Sequence, residues 1–190
     1  MKYIMVGILA VTGMVAGCAT MTANECRSAD WYAVGVKDGN RGESWQRLMQ
    51  HGKACAKVGI TPDEAAWERG RDAGLVQYCT PSNAYYRGLS GGYINTHNCP
   101  AQLQPELYRA NKYGYNINKL QGLIKADKKN LATYQEQLKK LKEGDNLNFG
   151  SEKEARKHLL ELPNKIAEIS QRITKNENLI QEAMRVSPWR

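Results

Sequence analysis

The chain has no apolar run long enough to cross a bilayer. Its one hydrophobic stretch, Tyr3 to Val15, falls short of the roughly 20 residues a spanning helix needs. It has one phenylalanine and three histidines, and contains no H-E-x-x-H, no phosphate-cradling glycine loop and no C-x-x-C. These absences remove the spacing signatures of zinc peptidases, P-loop enzymes and dithiol redox proteins. No catalytic activity, cofactor or metal is therefore expected. His158 reads as a surface residue, and His51 shares a predicted helix face with Cys55 and reads as packing or solvated. Asp30, Asp38, Asp63 and Asp72 could supply a carboxylate pair for a hydrolase, but three of them sit at natural cap or turn positions.

What the chain does have begins with Cys18. Lys2 supplies a positive start, Tyr3 to Val15 an apolar segment, and Ala16-Gly17 the small residues before the cysteine. Val15-Ala16-Gly17-Cys18 resembles the lipobox of bacterial lipoproteins. The resemblance implies a signal peptide over 1–17, cleavage before Cys18, and acyl chains (palmitate among them) on that residue. Two or three chains together hold a protein stably in a membrane. In lipoproteins of enteric type an aspartate after the cysteine retains the protein at the inner membrane. Ala19 stands here, which implies the outer membrane, with the protein facing the periplasm. Residues 18–24 read as a tether.

The whole sequence carries a net charge of +8. Its bases are interleaved with acids on predicted helices, the look of a solvated face, so no nucleic-acid partner is expected. A basic face could also meet anionic lipid headgroups or envelope polymers.

Without Cys18, four cysteines remain: Cys26, Cys55, Cys79 and Cys99. An even count in an exported chain points to disulfides. His51 near Cys55 and His97 near Cys99 leave a mixed metal site conceivable, although close cysteine pairs are missing. Pairing Cys26 with Cys55 and Cys79 with Cys99 closes loops of about 20 to 30 residues, each contributing roughly 3 to 4 kcal/mol in the chain-entropy model.

The composition changes near residue 115. The region 25–114 reads as a small disulfide-stapled helical head, with short helices at about 25–38, 43–57, 63–78 and 83–91. Thr61-Pro62 is read as the start of the third. A weak repeat runs through it: Tyr32-x-x-Gly35-x-x-x-Gly39, Trp67-x-x-Gly70-x-x-x-Gly74, Tyr85-x-x-Gly88-x-x-x-Gly92 and a degenerate Leu107-x-x-Ala110-x-x-x-Gly114. Gly35, Gly70 and Gly74 are expected in close helix packing, and Gly39 and Gly92 in caps or turns. The spacings are too irregular for a solenoid.

Cys26, Asp30-Trp31-Tyr32-x-x-Gly35-x-x-Asp38-Gly39, Cys55, Gly70, Gly74-Leu75, Tyr78-Cys79-Thr80, Gly88, Tyr93 and Cys99-Pro100 together resemble a bacterial envelope-lipoprotein family catalogued as a domain of unknown function, number 2799. The resemblance implies an exported lipoprotein and supports a helical head. It implies no activity.

From 115 to 186 two heptad seams are legible. Ile117, Leu120, Ile124, Asp127, Leu131, Tyr134, Leu138 and Leu141 alternate steps of three and four, and so do Leu159, Leu162, Ile166, Ile169, Ile173, Asn176, Ile180 and Ala183. The polar stretch 143–151 between them is a turn. An antiparallel coiled-coil hairpin follows, in which Leu131 faces Ile173 and the polar pair Asp127 and Asn176 shares a level and sets the register. Pro163 interrupts the second seam without shifting its phase.

The expected protein is mainly α: a stapled head followed by a long hairpin, in a lipid-anchored envelope lipoprotein with a structural or protein-interaction role. The hairpin is the surface for an envelope protein partner. Two alternatives stay open. Trp31, Tyr32, Trp67, Tyr85 and Tyr86 could form an aromatic surface for peptidoglycan or another glycan, or the head could be an envelope hydrolase.

Overall fold

The computed structural model describes residues 20–145 and 147–190. The lipidation assigned to Cys18 lies outside them. The described residues form seven α-helices and no strand: α1 (Ala23–Arg27), α2 (Trp31–Gly39), α3 (Trp45–Cys55), α4 (Glu64–Tyr78), α5 (Pro81–Leu89), α6 (Gln104–Lys142) and α7 (Glu152–Val186). None is long and apolar enough to cross a membrane.

Local chemistry sets the helix ends. The expected first helix is two, because the Asp30 side chain accepts from the Ala33 amide and starts α2 anew. The start read at Thr61 falls instead at Asp63, whose carboxylate accepts from the Ala66 amide. The cap-then-proline start belongs to Thr80-Pro81, so α5 begins earlier than the expected residue 83.

The head consists of two close-packed pairs of parallel helices, α2 with α4 and α5 with α6. In the first, a Cβ on Gly35 would fall on the Trp67 carbonyl oxygen, and one on Gly39 on that of Arg71. Reciprocally, Gly70 lies against the Tyr32 carbonyl and Gly74 against that of Val36. Numbers rise together along both helices, which makes the pair parallel. Gly39 is therefore a packing glycine and not the cap expected of it. The left-handed turn comes at Gly42, with φ +74°.

The second pair repeats the device in a shifted register. Gly88 lies against the Asn111 carbonyl and Gly114 against that of Tyr85. Asn111 donates to the Ala84 carbonyl and Asn118 to that of Leu89, which makes this pair parallel too. The small residues in contact are Ala84 and Gly88 against Ala110 and Gly114. Gly92 lies beyond α5, in the following turn. Each unit has the same order: cysteine, helix, crossover carrying the second cysteine, helix. Cys26 is bonded to Cys55 and Cys79 to Cys99, with Cα separations of 5.4 and 5.6 Å. The head is thus an internal duplication, in which α3 is a helical crossover present only in the first copy.

The copies are joined through Tyr78. Its hydroxyl accepts from the Asn95 amide at 2.8 Å, and its ring fills the space a side chain at Gly42 would need. Asn98 donates to the Gly42 carbonyl at 2.7 Å.

The helix α6 runs unbroken from the second pair into the hairpin, so the first helix of the arm starts at Gln104 and not near 115. At 39 and 35 residues, α6 and α7 span about 58 and 52 Å. Every expected seam residue is buried or half-buried, and α7 continues through Pro163. Ile124, Ile169 and Ile173 form a buried cluster with Leu131, Tyr134 and Ile180 against it. At the base, Ile180, Ala183, Met184 and Trp189 pack on the core of the second pair, and the Tyr113 hydroxyl donates to the Ala183 carbonyl at 2.9 Å.

Two outcomes are expected. Gly70→Ala should destabilise the oxidised protein by about 1–3 kcal/mol, because backbone must move to admit the methyl group. Gly122→Ala, where nothing lies within 4 Å, should stabilise it by up to about 1 kcal/mol. Denaturant unfolding measures both, and equal effects would contradict the packing role of Gly70. Leu131→Cys combined with Ile173→Cys should cross-link within one chain on oxidation. Products linked only between chains would mean that α7 does not fold back on α6.

Candidate functional site

The first helix pair carries a buried polar network that the sequence reading placed at caps and surfaces. Asp38 is only 3% exposed and His51 4%. Close approach of α4 to α2 sets the Trp67 indole over the last turn of α2, where Nε1–H donates to Asp38 Oδ2 at 2.9 Å. The crossover α3 brings His51 Nε2 to the same oxygen at 3.0 Å, and Arg47 Nε lies 3.9 Å from the other. The carboxylate requires the imidazole proton on Nε2. The other ring nitrogen, Nδ1, lies 2.8 Å from the Thr20 hydroxyl, which can accept from or donate to it. Thr20, His51 and Asp38 thus form a hydroxyl–imidazole–carboxylate chain, with Trp67 as a second donor to its end.

Burial by itself raises the Asp38 pKa. Hydrogen bonds from His51 and Trp67, with the charges of His51 and Arg47, outweigh it and hold the carboxyl below the usual aspartate range. Asp38 is therefore ionised near neutrality and orients the imidazole. The first structural effect of the network is mechanical, since it ties the N-terminal segment, α2, α3 and α4 at one point.

A cavity of about 330 Å³ adjoins it, with Asp38 and His51 in its wall. One face of α2 with its flanks (Asp30, Ala33, Val34, Lys37 and Arg41) forms one side, and Thr20, Met21 and α1 form another.

The aromatic surface expected for a glycan does not exist as a group. Trp31, Trp67 and Tyr85 are core residues at 9%, 0% and 1% exposure, because the head has few aliphatic side chains to fill its interior. Tyr32 and Tyr86 are about half exposed. Cys55 and Cys99 are held in disulfides and are not available to the mixed metal sites. Among the described residues no group of three or more acids, histidines and cysteines could hold a metal ion.

In the arm, Asp127 and Asn176 are both buried. The partner of Asp127 is Arg172, one turn before Asn176, which donates from Nε and Nη2 at 2.7 and 2.6 Å. These bonds hold the Asp127 carboxyl below the usual range. His158 is not merely surface. It contacts Gln137 Oε1 at 3.0 Å across the hairpin and stacks near Phe149.

The family described as "Protein of unknown function (DUF2799)" has a model that matches residues 30–116. A comparison with curated proteins and another with solved structures found no match. The matched stretch starts at the cap of α2 and ends inside α6, so it holds both helix pairs and Asp38, His51 and Trp67. Thr20, Cys26 and most of the arm lie outside the match.

Asp38→Ala strips acceptors from two buried donors and should cost about 3 kcal/mol at pH 7. A depressed folded-state pKa contributes stability above the unfolded value, about 3.9, and loses it as pH falls through the folded one. The gap between wild type and Asp38→Ala should therefore narrow below about pH 4. Denaturant unfolding of the oxidised proteins at pH 7 and pH 2.5 measures it, and a constant gap would contradict the ionised state assigned to Asp38.

Proposed function

We propose that this is a lipid-anchored lipoprotein of the bacterial envelope, held in the outer membrane through Cys18 and facing the periplasm, with a structural or protein-interaction role. The stapled head is the anchored base, and the hairpin is an arm that meets another envelope protein. One observation carries this reading: α6 is a single helix shared by head and arm, and the end of α7 is bolted to the head through Tyr113, Ala183 and Trp189. An arm so fixed transmits the position of the base to its tip, which a passive tail does not need.

The basic surface of the arm is narrower than its lysine count suggests. Lys128 pairs with Glu177 at 2.8 Å, and Lys157 and Lys165 flank Glu161. Lys125, Lys139 and Lys153 have no ion-pair partner among the described residues. These three, with the exposed Leu123 and Leu160, are the contacts offered to an acidic partner.

Two measurements test the proposal. Wild type should show loss of residues 1–17 and added acyl mass, while Cys18→Ser should leave the membrane fraction. Deleting all of 115–190 would strip the head's own core, so the arm is shortened instead. Residues 128–175 are replaced by a short glycine-rich turn that keeps residues 127 and 176 opposed. This protein should be exported, acylated and disulfide-bonded, yet fail to capture the partner or to complement a deletion phenotype. Full complementation would defeat the arm's role.

A further inference from the structure

We infer that the cavity beside Asp38 binds a phosphate-bearing headgroup, with Lys37, Arg41 and Arg47 as its cationic wall. The inference rests on the lipid-anchored reading for the source of the ligand, but its charge argument is independent of it. The acids around the cavity are already engaged. Glu25 accepts from the Thr22 amide at 2.7 Å, Asp30 caps α2, and Asp38 is held by His51, Trp67 and Arg47. Two of the three cations are not. Lys37 in the last turn of α2 and Arg41 just beyond its end have no carboxylate within ion-pair distance among the described residues. Arg47 donates from Nη1 to Gln50 Oε1 at 3.2 Å but reaches Asp38 and Glu43 only at 3.9 and 3.7 Å, and its buried Nε has no hydrogen-bond acceptor. A phosphate supplies both the missing charge and several acceptor oxygens, and guanidinium groups match it well.

The size and lining say more. A volume near 330 Å³ lies at the small end of small-molecule sites and exceeds what a bare phosphate needs. Met21, Ala29 and Val34 give the remainder an apolar wall. The fitting ligand is a phosphate with a short, partly apolar attachment, as in the glycerol-phosphate region of a phospholipid. Position agrees. Thr20 lines the cavity, and the chain between it and Cys18 spans at most about 7 Å. The headgroup layer of one leaflet is itself about 5–7 Å deep. With Cys18 acylated, the cavity is held at the level of the headgroups.

The test uses the full acylated chain in nanodiscs of phosphatidylcholine, alone or mixed with phosphatidylglycerol, and counts retained lipid by native mass spectrometry. Wild type should keep one phosphatidylglycerol, favoured at least tenfold over phosphatidylcholine, and glycerol phosphate should displace it. Lys37→Gln with Arg41→Gln should lower retention about tenfold with both disulfides intact, whereas Lys139→Gln with Lys153→Gln on the arm should not. No preference, or equal loss in both double variants, would overturn the site as mere attraction of net charge. Binding of inorganic phosphate without retention of phosphatidylglycerol would overturn the lipid source. The intact mass of the same sample separates the two readings: an unacylated chain that still selects phosphatidylglycerol supports the cavity and overturns the anchor alone.

Discussion

The structure depends on how closely two parallel helices approach when small residues recur every fourth position. At Gly35, Gly39, Gly70 and Gly74 the carbonyl oxygens of one helix occupy the space of the other's missing side chains. Such an approach brings backbone against backbone and lets Cα–H groups face carbonyls. It also leaves few side chains between the helices, so the core of each pair is small. Cys26–Cys55 and Cys79–Cys99, closing loops of 29 and 20 residues, offset that deficit by roughly 3 kcal/mol each in the chain-entropy model. The large aromatics complete the filling, which is why Trp67 and Tyr85 are buried and cannot serve as a ligand surface.

The buried network follows from the same constraint. With α4 pressed onto α2, the Trp67 indole needs an acceptor for its N–H, and Asp38 is the group within reach. A lone buried carboxylate would be costly. His51 and Arg47, both from the crossover α3, supply the other donor and the nearby charge. The Thr20 hydroxyl then completes the valence of the imidazole. Each partner is required by the one before it, and none of these requirements is periodic along the chain.

That distinction decides what was legible. The hairpin seam recurs every three and four residues and is read directly from the sequence. The cysteine pairing followed from loop length. The glycine repeat was visible, but its second copy was read four residues, about one helical turn, late. Tyr85 caught the eye, while the contact residue is Ala84, a small side chain that gives little signal on its own. Gly39 looked like a cap because Asp38-Gly39 also reads as a helix end. The network was missed for a further reason. Asp38 and His51 carry the charges of surface residues, and only the approach of α4, a tertiary fact, puts them inside. The Asp127–Arg172 pair was hidden in a milder way, since Arg172 flanks the seam and reaches into it with a long side chain.

The two copies of the helix pair depart from each other in two places, and the departures divide the labour of the proposed function. In the first copy the crossover has become α3, which supplies His51 and Arg47 and with them the network and one wall of the cavity. This copy is the one that follows Cys18 in the chain. In the second copy the crossover is short, and the second helix has instead been lengthened into α6. Extending a helix already clamped by Gly114 and Asn118 costs no new hinge. It is also a direct way to project an arm whose angle is set by the packing of the pair. The return helix α7 then contributes Ile180, Ala183 and Met184 to the same core. A change in how α7 lies on α6 is thereby coupled to the packing of the head, through side chains that belong to both.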